Sequence, residues 1–303
     1  MKKSLLTLAL GAASLFAGAQ VVEVQSITKV PLQADMQVNI SRVSPDGSYA
    51  IVSNFEDNSL TRVDLRTGSV KQVTDNGSAL HLAFSPDASA IVFNSYEVRE
   101  GGRRFYSLAS VDLNDGHKSV IAEPARRNAR FNVSPAGVLS VSAAGRYNAR
   151  AMRGSKSAVV GTPVVGIYHG HLEVTMPDGS SKYIDPQGRG SYLWPSLSPD
   201  GQKILYYCEG KGCFVCDLDG SNVIKVGYFH APYWLGNEKV VGTFNHDDGH
   251  VLTDGVIVAA DFNGNIQNLT PENMIAINPS ATPDGKTVTF TTDEGELYIM
   301  TLK

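Results

Sequence analysis

Three cysteines and two tryptophans are all that 303 residues contain. So few thiols exclude a scaffold built on disulfides, and the fold must instead rest on buried apolar surface. Excess positive charge is also missing: 26 Lys and Arg stand against 30 Asp and Glu, a formal net charge of −4. That balance argues against a generic nucleic-acid binder, since such proteins neutralise phosphates with a basic surface. No Gly-x-Ser-x-Gly elbow, His-Glu-x-x-His helix or phosphate-binding glycine loop is present, and the stretch Gly161 to Gly166 has glycines without the lysine or spacing.

Long apolar runs are missing too, except at the start. Lys2 and Lys3 precede an apolar run from Leu5 to Phe16, followed by Ala17-Gly18-Ala19 and Gln20. The run is too short to span a bilayer, and the small residues suit cleavage before Gln20, so residues 1–19 read as a secretory signal peptide. The mature chain, 20–303, is expected in the periplasm or the medium, without a transmembrane segment. No cysteine near the cut offers a lipid attachment site.

What the chain has in quantity is repetition. Ser44-Pro45-Asp46-Gly47, Ser85-Pro86-Asp87-Ala88, Ser134-Pro135-Ala136-Gly137, Ser198-Pro199-Asp200-Gly201 and Thr282-Pro283-Asp284-Gly285 each precede a β-rich run. Their starts are separated by 41, 49, 64 and 84 residues. The last gap is double length, and Tyr233-Trp234-Leu235-Gly236-Asn237 supplies a degenerate copy near its middle, which makes six.

A hydroxyl residue, a proline that fixes φ, an aspartate and a glycine fit the four positions of a type I turn. The following runs, such as Tyr49-Ala50-Ile51-Val52 and Thr287-Val288-Thr289-Phe290, have the branched and aromatic content of strands. A second turn recurs after them in Val63-Asp64-Leu65-Arg66-Thr67-Gly68, Val111 to Gly116, Cys216 to Gly220 and Ala260 to Gly264. Four strands in about 40–45 residues is the pattern of a propeller blade. The chain is therefore expected to be all-β, a six-bladed β-propeller of four-stranded antiparallel blades. Its last copy has three strands, so the segment Val24 to Leu32 is expected to close that blade as its outer strand.

Pro195-Ser196-Leu197-Ser198-Pro199-Asp200-Gly201 and Pro279-Ser280-Ala281-Thr282-Pro283-Asp284-Gly285 carry a family likeness. The chain resembles the TolB-like β-propeller repeat family over its whole mature part, without the separate N-terminal domain of TolB. The resemblance implies the fold. Similar propellers serve as periplasmic scaffolds, as non-catalytic domains of prolyl oligopeptidases and as oligogalacturonate lyases.

Propeller function sits on loops of one face, where the turns between second and third strands meet the connections into the next blade. The tetrapeptide turns lie on the other face. Ala143 to Gly170 is longer than a hairpin requires, and it holds Arg146, Tyr147, Arg150, Arg153 and Lys156. The same face is expected to carry Arg103, Arg104, Arg126, Arg127, Arg130 and Arg189, with Tyr192, Trp194, Tyr228, Tyr233 and Trp234. Guanidinium forks and flat amphipathic rings suit an acidic oligosaccharide or an envelope protein or peptide.

The chain thus reads as a binding or scaffold module with no cofactor, no nucleic-acid partner and no transmembrane segment. The alternative is a metal-dependent polysaccharide or oligogalacturonate lyase-like propeller. It rests on His246-Asp247-Asp248-Gly249-His250, with His230 entering the same repeat, and His230, His246, Asp248 and His250 could ligate a divalent metal ion. Cys213-Phe214-Val215-Cys216 has a redox spacing but opens a strand, where residues three apart face opposite ways. Cys208 and Cys213 flank a short loop and are expected to form a disulfide, leaving Cys216 free.

Overall fold

Alternation of buried and exposed residues over short runs, punctuated by turn residues, leaves this chain no route to a core except stacked sheets. The computed structural model describes residues 19–54, 59–134, 137–143, 145–153, 155 and 162–303. The expected leader, apart from Ala19, and Lys156 lie outside them.

The chain opens with β1 (Val24–Lys29) and then builds seven sheets. The first blade is β2 (Ile40–Val43), β3 (Tyr49–Ser53), β4 (Leu60–Asp64) and β5 (Val70–Thr74). The second is β6 (Leu82–Phe84), β7 (Ala90–Arg99), β8 (Arg103–Asp112) and β9 (Lys118–Ala125). Two three-stranded blades follow: β10 (Arg130–Ser134), β11 (Gly137–Val141) and β12 (Tyr147–Arg150), then β13 (Val164–Tyr168), β14 (His171–Thr175) and β15 (Ser181–Tyr183). The fifth blade is β16 (Tyr192–Leu197), β17 (Lys203–Cys208), β18 (Gly212–Asp217) and β19 (Ile224–Gly227). The sixth is β20 (His230–Leu235), β21 (Lys239–Asp247), β22 (Leu252–Asp261) and β23 (Ile266–Asn268). The seventh is β24 (Ala276–Ala281), β25 (Thr287–Thr292) and β26 (Leu297–Leu302), completed by β1.

Six blades were expected and seven sheets form. The difference lies in the long gap between Ser134 and Ser198, where what reads as one repeat with a long loop is a pair of short sheets. Parity explains how the repeat survives. A four-stranded blade returns the chain to the face it entered from, whereas three strands leave it on the opposite one. Thr162, just before β13, lies 3.5 Å from where a Cβ on Gly201 would sit, in the tetrapeptide turn of the fifth blade. At the far end of β13, the Arg127 guanidinium lies 5.9 Å from the Tyr168 ring. β13 therefore runs opposite to the innermost strands on either side of it, and three further strands restore the phase.

The tetrapeptide turns form as their chemistry requires. In each intact copy the hydroxyl donates to the aspartate two residues on, at 2.6 Å for Ser44–Asp46, 2.7 Å for Ser85–Asp87, 2.5 Å for Ser198–Asp200 and 2.6 Å for Thr282–Asp284. Partial burial opposes ionisation of Asp46, but hydrogen bonds from Ser44 and Ser48 win and hold its carboxyl below the usual range. Gly68, in a turn of the other kind, has φ +70°, and a Cβ there would sit 2.1 Å from the Pro31 carbonyl oxygen.

Strand alternation distributes the core between blades. On β3, Tyr49 and Ile51 join Ile91 and Phe93 of the second blade, while Ala50 and Val52 join Leu297 of the seventh. A fully buried Ile or Phe contributes about 1.5–3 kcal/mol, and Ile51, Ile91, Phe93 and Phe290 are all fully buried. Closure follows the expected plan. β1 pairs antiparallel with β26 from Val24 opposite Leu302 to Lys29 opposite Tyr298, with a 2.6 Å hydrogen bond between the Ser26 and Thr301 hydroxyls and an ion pair of Lys29 with Glu296.

Candidate functional site

Turns between second and third strands share one face with the connections between most blades, here called the upper face. Two hairpins project there. β7 and β8 stay paired out to Arg99 opposite Arg103, and β21 and β22 out to Asp247 opposite Leu252.

The first hairpin is a basic and aromatic stack. Arg99 and Arg126 lie 4.2 and 5.4 Å from the Phe105 ring, and Arg104 lies 4.6 Å from that of Tyr96. Arg126 donates a 2.7 Å hydrogen bond to the Arg104 carbonyl oxygen. A cleft of about 160 Å³ opens at its base, lined by His81, Asn94, Tyr96, Arg104, Tyr106 and Asn128. The stripe continues over the next blades through Arg127, which meets Tyr168 and lies 3.4 Å from His169 Nε2. Cation–π contacts limit the freedom of the guanidinium groups, so their remaining donors are pre-ordered for an anion.

Farther round the ring stands an aromatic cluster. Tyr207 lies 5.4 Å from Trp194, 5.4 Å from His230 and 6.3 Å from Tyr228. Burial, then the nearby Tyr228 hydroxyl, pushes the Tyr207 phenol up, and its buried hydroxyl lacks a well-formed hydrogen bond. Three successive innermost strands carry a bulge at a residue before proline: Trp194 (φ 50°), Ala231 (φ 46°) and Asn278 (φ 53°). Positive φ is costly for side chains with a Cβ, and such strain persists where the surroundings enforce it. In the sixth blade the bulge re-aims Tyr233, whose ring lies 5.3 Å from the guanidinium carbon of Arg42 in the first blade.

Several expected ligand residues have other work. Arg130 forms a 2.6 Å ion pair with buried Glu173 and stacks 4.7 Å over Tyr168. Arg153 is not at the upper mouth: it reaches Asp87 at 3.8 Å and Asp112 at 3.4 Å, in turns of the opposite face. Arg150 donates to the Val120 carbonyl oxygen on the neighbouring blade. Both were misplaced because β12 carries the chain to the lower face before the next sheet begins. Tyr147 donates to the Thr162 carbonyl oxygen, and exposed Arg146 lies in the turn before β12. Tyr192 is buried, its hydroxyl donating to the Gly188 carbonyl oxygen while accepting from the Gln187 N–H, and burial pushes its pKa up to about 12. Trp234 is core, its Nε1 donating to the Ser196 carbonyl oxygen. Arg126, Arg127 and Trp194 remain on the upper face.

The expected disulfide does not form: Cys208, Cys213 and Cys216 are free and buried. Cys208 stands opposite Gly212 and Cys213 opposite Tyr207, so the two thiols point to opposite faces of the sheet, Cys208 into one interblade core and Cys213 into another. Cys216 joins Cys208's side, and burial pushes Cys213 and Cys216 up to about 12.

The metal-ligand set is likewise dispersed. His230 Nδ1 is 2.8 Å from Asn245 Oδ1, His246 Nδ1 is 2.8 Å from Asp254 Oδ2, and Asp248 accepts from the N–H groups of His250 and Val251. Among the described residues, no group of three His, Cys, Asp or Glu side chains is placed to hold a metal ion.

Residues the sequence did not single out include Arg42, Arg99, Phe105 and Tyr168. The length of the β7–β8 run was a usable signal for Arg99 and Phe105, since a strand pair continuing beyond its blade must project. Nothing local marks Arg42.

No family model matches the chain, and no curated protein matches its sequence. Solved structures do match. TolB from Acinetobacter baumannii superposes with a TM-score of 0.52 at 16% identity over 78% of this chain, which spans 55% of that protein's length. A candidate TolB from Agrobacterium tumefaciens gives 0.55 at 16% identity, covering 91% of this chain and 96% of the other. Virginiamycin B lyase from Staphylococcus aureus gives 0.58 at 12% identity, covering 92% and 99%. Identities this low carry the architecture and not the chemistry. In its fold, the chain is a TolB-like β-propeller.

Proposed function

We propose that this protein is an exported binding or scaffold module, periplasmic or secreted, whose upper face holds an anionic ligand: an acidic segment of an envelope protein, or an acidic oligosaccharide. The observation that carries the reading is the stack of Arg99 and Arg126 on Phe105, continued by Arg104 on Tyr96. Three guanidinium groups lie against two rings, and although Arg99 is paired with Glu97, the exposed edges of Arg104 and Arg126 offer donors to carboxylates.

Export is supported at the start of the fold. Val21 and Val22 are buried, and both their N–H groups donate to Gln267 Oε1, at 2.7 and 3.0 Å. Cleavage before Gln20 would leave these contacts in place. The metal-dependent lyase alternative has no comparable support, since its histidines are engaged singly with Asn245 and Asp254.

Calorimetric titration with an oligogalacturonate and with a glutamate-rich peptide tests the reading. Binding of one or both should weaken as salt rises. The triple variant Arg99→Ser, Arg104→Ser, Arg126→Ser should bind at least tenfold less tightly, about 1.4 kcal/mol. Absence of binding to both probes at low salt, or unchanged affinity in a folded triple variant, overturns it.

A further inference from the structure

The arginines of this propeller fall into two kinds. Some are matched by carboxylates, as Arg130 by Glu173 at 2.6 Å and Arg153 by Asp112 at 3.4 Å. Others are exposed and keep their charge in water, as Arg126 and Arg127 do. Arg42 belongs to neither group. It sits on β2, the innermost strand of the first blade, only partly open to solvent, with Ser41 and Val43 buried on either side.

Its hydrogen bonds go to neutral carbonyls: Nη1 donates to the Ser41 oxygen at 2.9 Å and Nη2 to the Leu80 oxygen at 3.1 Å. A guanidinium has five N–H donors, so three are left without a protein acceptor among the described residues. No described carboxylate pairs with it. Among the described residues its ring partner is Tyr233, which reaches it from the sixth blade, past the seventh. Burial lowers its pKa, with the Tyr233 phenol acting the other way, but a guanidinium remains charged at neutral pH.

An enclosed cation without a counter-charge is unfavourable, and an anion supplied from outside would relieve that cost. The rim around it is fixed. Asn278 donates its side-chain N–H to the Asn39 carbonyl oxygen at 3.1 Å, joining the seventh blade to the first beside Arg42's strand. Ser280 Oγ accepts from the Val43 N–H at 3.2 Å. The guanidinium is thus held by two carbonyls on one side and a ring on the other, with its charge unspent.

We propose that the inner rim of the propeller is an anion site centred on Arg42, taking a single carboxylate on the guanidinium edge with the Tyr233 ring as its backing. This site is separate from the upper-face arginines and stands whether or not those bind a ligand.

Succinate is a suitable probe, added at constant ionic strength against sodium chloride. The Arg42 side-chain nitrogen resonances of the labelled wild-type protein should shift and saturate with succinate, and its hydrogens should exchange more slowly. Unfolding temperature should rise with succinate in the wild type, and the apparent affinity should fall at least tenfold in Arg42→Gln and several-fold in Tyr233→Ala, with little change in Tyr233→Phe. Arg42 resonances indifferent to succinate, or equal stabilisation of wild type and Arg42→Gln, overturn the proposal. Should Arg42→Gln not fold, the wild-type resonances decide alone.

Discussion

The β7–β8 and β21–β22 hairpins extend from the same face to nearly the same length, and they differ in almost everything else. The first carries exposed Arg103 beside Arg99 and Arg104, which are gripped through rings; the second carries Asp247, Asp248 and Asp254 with His246 and His250, tied by hydrogen bonds. One geometry therefore supports two kinds of surface. A guanidinium on a ring keeps its charge at any physiological pH. A carboxylate bonded to an imidazole is coupled to proton concentration. Hydrogen bonds from His246 hold the Asp254 carboxyl below its usual range.

The contrast breaks most readily at the rings. Phe105 bears two arginines, whereas Phe244 on the acidic hairpin has, among the described residues, a ring contact with His246, edge-on with centroids 5.0 Å apart, and no cation over it. Phe105→Ala should cost about 1 kcal/mol from the cation–π contacts alone, and Phe244→Ala clearly less, as read by urea unfolding. Equal costs would mean the stack is incidental.

Protons sharpen the comparison next. Because the folded pKa of Asp254 is depressed, its contribution is present above the unfolded value of about 3.9 and is lost as pH falls through the folded value. Carboxyl resonances should give a midpoint for Asp254 below that of a free aspartate and return it upward in His246→Ala. No movement would detach Asp254 from the imidazole. The smallest effect belongs to the tips, where Val98 and Val251 are 61% and 63% exposed. Val98→Thr and Val251→Thr should each change stability by less than about 0.5 kcal/mol, and a larger loss in either would show that its tip is packed.

Much of the architecture was legible because the turn chemistry is local. A Ser-Pro-Asp-Gly turn declares itself in four residues, and the weak copy at Gly236 still adopts φ +67° between β20 and β21. Blade number was not legible, since β13 and β14 are joined at His169 and Gly170 without the tetrapeptide, and one repeat therefore concealed two sheets. The site suffered from the same cause. Strand parity decides which face a residue reaches, so one unrecognised sheet sent Arg153 to the wrong end. The cysteine pairing failed on a single step of register, with Gly212 rather than Cys213 facing Cys208. Arg42 depended on a side chain five blades of sequence away, a relation that no spacing encodes.

The joining of β1 to β26 sets the order in which this protein can become itself. Val24 and Leu302 lie 278 residues apart in sequence, yet they are neighbours in the finished ring. The ring cannot lock until β1 and β26 meet, so contacts of such long range make its assembly slow and leave two bare strand edges waiting in the meantime. A chain that stopped before Leu297 would keep those edges for good.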